Sequence, residues 1–121
     1  MKYRNKWVVK HYRPAKFKEL KNTSRVGTVF ESLSALKKLF GQPHDRTKPG
    51  EWESADKKVR AEWAFLVEIP QRKKKFVLSI YDYKEKTPLK QLNEWSLGGK
   101  AEDRDEIKEF LEDGLVNAII E

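Results

Sequence analysis

The stretch from Lys58 to Lys84 constrains this chain most, because its side chains alternate with the period of a strand. Val59, Ala61, Trp63, Phe65, Val67 and Ile69 fall on one face, while Arg60, Glu62 and Glu68 fall on the other. That is the pattern of a strand with one buried face. Pro70 has no N–H to donate and ends the ladder. Gln71 to Lys74 turns the chain, and Lys75 to Tyr83 is rich in β-branched and aromatic residues. The spacing predicts an antiparallel hairpin with a loop of about four to five residues.

Around this hairpin the chain supplies further elements. Lys6 to Arg13 reads as a strand, with Trp7, Val9 and His11 on one face, and Pro14 closes it or confines it to a sheet edge. Arg25 to Phe30 is either a second short strand or a lead-in to the helix that follows. Ser32 or Ser34 caps a helix running to Phe40, with Leu33, Leu36, Leu39 and Phe40 on one face and Gly41 as its C-terminal cap. Gln42 to Asp56 shows no periodicity and reads as a long loop. Asn93 to Leu97 predicts a third strand, ended by a turn at Gly98-Gly99. Asp103, with Glu106 three residues later, predicts the cap of a helix whose apolar face is Ile107, Phe110 and Leu111. Gly114 breaks that helix, and Leu115 to Ile120 forms either another helical turn or a last strand. The order predicts an α+β fold: an antiparallel sheet, a meander of about three to five strands, with one helix before and one after packed on one face. Residues 1–24 form a basic N-terminal segment or edge strand, and residues 25–121 a single α+β domain.

At 121 residues the chain is long enough to bury a core without covalent staples. It holds no cysteine, which removes disulfides and thiolate metal sites. No run is apolar enough to span a membrane, and charges interrupt every apolar pair near the start, so the expected setting is the cytoplasm.

The net charge of +7 is localised. Residues 1–21 carry eight Lys/Arg against Glu19 alone, and the remaining hundred residues carry eighteen of each sign. Residues 100–113 are acidic, with seven Asp/Glu against three Lys/Arg. A localised basic segment favours an anionic partner and speeds encounter with it; its plainer reading is a solvated terminus.

The chemistry-bearing residues divide into two sets. The first is cationic: Lys6, Lys10, Arg13, Lys16 and Lys18 in the N-terminal segment, and Arg72, Lys73, Lys74 and Lys75 in the hairpin turn. Tyr3, Trp7, Tyr12 and Phe17 interleave with the first run, and aromatics among cations suit stacking on bases beside phosphate contacts. The second set is Trp63, Tyr81, Asp82, Lys84 and Trp95, an aromatic pocket with a polar rim for a small anionic ligand such as a nucleotide. Its plainer reading is tryptophans in the core and tyrosines at its edge. For catalysis only His11 and His44 offer imidazoles, with Asp45 beside His44, so an enzyme using His44 or Asp82 is a third and weaker alternative, and the acids of the long loop fit no metal-ligand spacing. No catalytic residue, metal or cofactor is therefore expected.

Four short segments occur in one order: Leu39-Phe40-Gly41-Gln42-Pro43, Lys58-Val59-Arg60-Ala61-Glu62-Trp63, Ile80-Tyr81-Asp82-Tyr83-Lys84 and Glu94-Trp95-Ser96-Leu97-Gly98-Gly99. Through them the chain resembles a family of small proteins, mostly of unknown function, encoded by bacteriophages and other large DNA viruses. The resemblance spans roughly residues 36–113. Ser96 and Leu97 stand where the family pattern has His and Ile, so a role for that histidine does not carry over, and residues 1–21 lie outside the resemblance. The resemblance implies a viral accessory protein acting on host machinery. Joined to the basic segment, it leads to the expectation of a non-enzymatic protein that binds a host protein or nucleoprotein complex, inhibiting a nucleic-acid-dependent defence or transcription component. The alternatives are a module that sequesters a small anionic nucleotide, or a direct nucleic-acid binder.

Overall fold

The computed structural model describes residues 7–11, 23–47 and 59–121. Its centre is the expected hairpin. Strand β4 (Ala61–Ile69) pairs antiparallel with β5 (Lys74–Tyr81) from Glu62↔Tyr81 to Ile69↔Lys74. Pro70 to Arg72 forms a single 3-10 turn, and Lys73 closes it with φ 51. The other strands are β1 (Val8–His11), β2 (Ser24–Val29), β3 (His44–Asp45), β6 (Trp95–Gly99) and β7 (Ala118–Ile120). They build one antiparallel seven-stranded sheet in the order β1-β4-β5-β6-β2-β7, with β3 beside β4.

The fold is α+β, as the element order predicts, but the sheet is wider than three to five strands. Arg25 to Val29 belongs to strand β2, and the last segment holds a strand as well, at Ala118–Ile120. His44–Asp45 pairs with Ala61 and Glu62 inside what reads in sequence as loop, because two residues are too few to show a period. Gly98 and Gly99 are strand rather than turn. At Gly98 a Cβ would collide with Ser79 Oγ and come within 3.1 Å of the Tyr81 ring, so glycine there lets the strands lie beneath that ring.

Helix α1 (Leu33–Phe40) starts at Ser32, whose hydroxyl accepts from the Ala35 N–H at 3.1 Å, and ends at Gly41 with φ 82. Helix α2 (Arg104–Asp113) follows a 3-10 turn at Ala101–Asp103. Asp103 holds the cap position, but its side chain makes no capping hydrogen bond; one carboxylate oxygen lies 4.0 Å from Lys74 Nζ instead. Both helices pack on one face. Leu36 and Phe40 of α1 and Ile107, Phe110 and Leu111 of α2 join Trp63, Phe65, Val67, Ile69, Phe76, Leu78 and Ile80 in one buried cluster. No helix of the described residues is long and apolar enough to cross a membrane.

Three indole N–H groups pin helix termini to this sheet. Trp63 Nε1 donates to the Gly41 carbonyl at 2.9 Å and Trp95 Nε1 to the Glu31 carbonyl at 3.0 Å, at opposite ends of α1. Trp7 Nε1 donates to Asp113 Oδ2 at 2.7 Å, at the end of α2. Each tryptophan thus buries its ring and satisfies its one donor.

Candidate functional site

Strand β1, which carries Lys10, pairs with the half of β4 nearer the hairpin turn. Val8 lies opposite Glu68, and Glu68 lies opposite Lys75, so three strands set these residues in one row on the face away from the helices. Lys10 and Leu66 face each other in the next-but-one row. Lys10 Nζ reaches Glu68 Oε1 at 3.4 Å, a contact between residues 58 apart in sequence. Lys6, Arg13, Lys16 and Lys18 lie outside the described residues.

The turn itself is partly neutralised by α2. Arg72 Nη1 lies 3.5 Å from Glu109 Oε2, and Lys74 Nζ bonds Glu106 Oε1. The hydrogen bond to Glu106 holds the Lys74 ammonium above its usual range, and the same bond holds the Glu106 carboxyl below its own. The acidic run of residues 100–113 therefore acts on the hairpin cations rather than on solvent alone. Lys73 and Lys75 remain exposed, without an ion pair among the described residues. Ion pairs on such a surface are worth about 0–1 kcal/mol, so Arg72 and Lys10 can exchange a carboxylate for another anion at small cost.

The aromatic set is not brought together as one pocket. Trp63 and Trp95 are each 1% exposed and stack edge to face in the core, ring centroids 5.4 Å apart. Trp63 pairs in register with Ile80, so it faces the helices, while Tyr81 points to the opposite side of the sheet. Asp82 is wholly buried, and its carboxylate accepts from the Arg60 N–H at 2.8 Å, the Ala61 N–H at 2.9 Å and Arg60 Nε at 2.6 Å. Lys84 is exposed, at φ 57, with its Nζ 5.4 Å above the Tyr83 ring. The pairing register, which alternation within one strand does not set, is what separates the tryptophans from the tyrosines. A cavity of about 100 Å³ does touch Asp82, Tyr83 and Trp95, but Glu85 and Glu94 also line it. Its cation, Arg25, is bound to Glu121 and Thr28. That lining repels an anionic nucleotide.

Sequence reasoning missed a second buried charge pair. Arg46 donates to Glu62 Oε1, and both residues are under 10% exposed. Glu62 does point away from the core face, as alternation requires, yet β3 and the residue after it cover it. Burial pushes the Glu62 carboxyl up to about 7 against the opposing pull of Arg46, and Asp82 adds to the rise. Burial, then the Glu62 charge, raises Tyr81, its partner across the strands. The unfolded chain releases the Glu62 proton near the ordinary carboxyl value of 4.5, and the folded chain holds it to about 7. Glu62 therefore contributes stability that is full below pH 4.5 and declines as pH rises to about 7. Urea unfolding at pH 5 and pH 8 should show the native chain losing about 2–3 kcal/mol more than Glu62→Gln across that interval. Equal losses would show that Glu62 titrates normally.

His44 and Asp45 stand next to each other in β3. Asp45 Oδ1 accepts from the Thr47 N–H at 2.9 Å and the Thr47 hydroxyl at 2.6 Å, closing a turn of its own. Among the described residues no group of three or more His, Asp or Glu is placed to hold a metal ion.

The described residues of segments 39–43, 58–63, 80–84 and 94–99 meet at one end of the sheet. Trp63 bonds Gly41, Asp82 bonds Arg60 and Ala61, and Ser96 pairs with Tyr81. No protein-family model, curated protein or solved structure matches the chain.

Proposed function

We propose that this chain is a non-enzymatic viral accessory protein that binds an anionic face of a host nucleoprotein complex, inhibiting a nucleic-acid-dependent defence or transcription component. Its contact surface is the β1 edge with the adjoining β4–β5 turn. One observation carries the reading. The pairing of Val8 with Glu68, and of Glu68 with Lys75, sets β1, which carries Lys10, beside the hairpin that carries Lys73 and Lys75, far from it in sequence. Exposed Lys73 and Lys75 at the turn, with Lys10 on the same sheet face across Glu68, form a surface suited to phosphates or acidic side chains. The viral setting rests on the motif resemblance and not on this geometry.

The double variant Lys73→Glu, Lys75→Glu tests the surface without touching the core. In a pull-down from host lysate it should recover at least about tenfold less of the partner than the native chain, with an unchanged unfolding midpoint. For a nucleic-acid contact, the slope of log affinity against log salt should fall by about 2 in the neutral variant Lys73→Gln, Lys75→Gln. Survival of the partner after nuclease treatment assigns the contact to protein, and its loss assigns it to nucleic acid. Unchanged recovery by the charge-reversed variant would overturn the proposal.

A further inference from the structure

A cavity of about 320 Å³ opens between α1, β3 and a 3-10 turn at Leu89–Gln91. Its walls are largely apolar, from Leu33, Pro43 and Leu89, and two cations, Lys37 and Arg60, border them. Leu33 and Lys37 are four residues apart on α1 and so share a face of it. The Arg60 guanidinium is held in place from two sides. Its Nε donates to Asp82 Oδ2 at 2.6 Å and its Nη2 to the Thr87 carbonyl at 2.7 Å. Neither bond uses Nη1, and the side chain keeps 28% of its surface open. The one carboxylate in the lining among the described residues, Asp45, is turned onto the Thr47 N–H and hydroxyl.

A concave site of this volume, mostly apolar with a few fixed polar groups, has the make-up of a small-ligand pocket. Its charge sets the class of ligand. A guanidinium fixed through two of its nitrogens presents the third without further loss of side-chain freedom, and its planar fork fits a carboxylate or a phosphate ester. We propose that this cavity binds a small amphiphilic organic anion. The acid group lies on Arg60 and Lys37, and the apolar body lies against Leu33, Pro43 and Leu89. The site is independent of the basic edge. It adjoins Ala61 at one end of β4, and β1 pairs with Phe65 to Glu68 toward the other.

The test uses the full chain labelled with 15N and three probes: 3-phenylpropionate, phenyl phosphate and the neutral 3-phenylpropanamide. Either acid should produce saturable amide shifts at Lys37, Gln42, Ala61 and Leu89. Tighter binding of the first assigns a carboxylate ligand, and tighter binding of the second a phosphate ester. The amide should bind at least about tenfold more weakly than the better acid. Lys37→Glu, at an exposed helix position, should weaken the better acid by a similar factor, and Lys108→Glu on α2 should not. The proposal fails if neither acid shifts these amides up to about 10 mM, the weak limit for a real pocket. It also fails if the amide binds as well as the acids, or if Lys37→Glu leaves binding unchanged.

Discussion

Trp63→Ala is expected to destabilise the protein by about 3–5 kcal/mol, the range for emptying a fully buried aromatic site. Trp63 is 1% exposed, and its ring meets Trp95 edge to face with an interplanar angle of 73°. Alanine would remove that contact and leave a cavity between β4 and α1. It would also strip the Gly41 carbonyl of its donor at the end of the helix. The two losses separate experimentally. Trp63→Phe keeps most of the ring volume and loses only the N–H, so it should cost about 1–2 kcal/mol. Urea unfolding followed by far-UV circular dichroism reads both variants. A cost below about 1 kcal/mol for Trp63→Ala would mean that α1 does not depend on this side chain.

Asp82→Ala should cost a comparable about 3–5 kcal/mol, for a different reason. The carboxylate has no exposed surface and accepts three hydrogen bonds. Two come from the consecutive Arg60 and Ala61 N–H groups at the point where β4 begins, and the third from the Arg60 guanidinium. Alanine would leave two backbone donors and a cation unpaired together, and an unmet buried group costs more than the bond it replaces gains. Asp82→Asn keeps the shape and one acceptor oxygen but not the charge, so its cost should fall between alanine and the native residue. Hydrogen exchange offers the local reading. The Arg60 and Ala61 amides should lose protection in Asp82→Ala by more than the amides of Phe76 to Leu78 in the middle of β5. Uniform loss across the sheet would place the effect in global stability rather than at the start of β4.

The hairpin and both helices were legible because each repeats a simple period over eight residues or more. Trp63, Phe65, Val67 and Ile69 declare a buried face without any knowledge of their neighbours. The position of Pro70 and the Ser32 and Gly41 caps are also local facts, carried by a missing N–H, a hydroxyl and a permissive backbone. What alternation within a strand cannot supply is the register between strands. That register separates Tyr81 from Trp63, which aligns with Ile80 and faces the other side. Short elements escaped for a related reason: β3 has two residues and β7 three. Gly98 and Gly99 carry the signature of a turn, and only the approach of Tyr81 and Ile107 explains them as strand. In the candidate site, the cations of the turn were visible in sequence. Their partial neutralisation by Glu106 and Glu109 depends on where α2 docks. The Arg46–Glu62 pair was hidden because a glutamate on an alternating strand reads as solvent-facing until something covers it.

The place of β2 in the sheet sets the order in which this chain can fold. β4, β5 and β6 follow one another in sequence and in space, so their pairing closes only short loops. β2 precedes all three yet lies beyond β6, and its other neighbour is β7, near residue 120. Closing those distances costs chain entropy before any contact offsets it, which slows folding relative to a meander of the same size. The β4–β5 pairing closes the shortest loop of the sheet. The core on its helix-bearing face is completed only when β2 docks, because Val26 and Val29 enter that core with the strand. Until then β6 presents an unpaired edge, open to pairing with another chain.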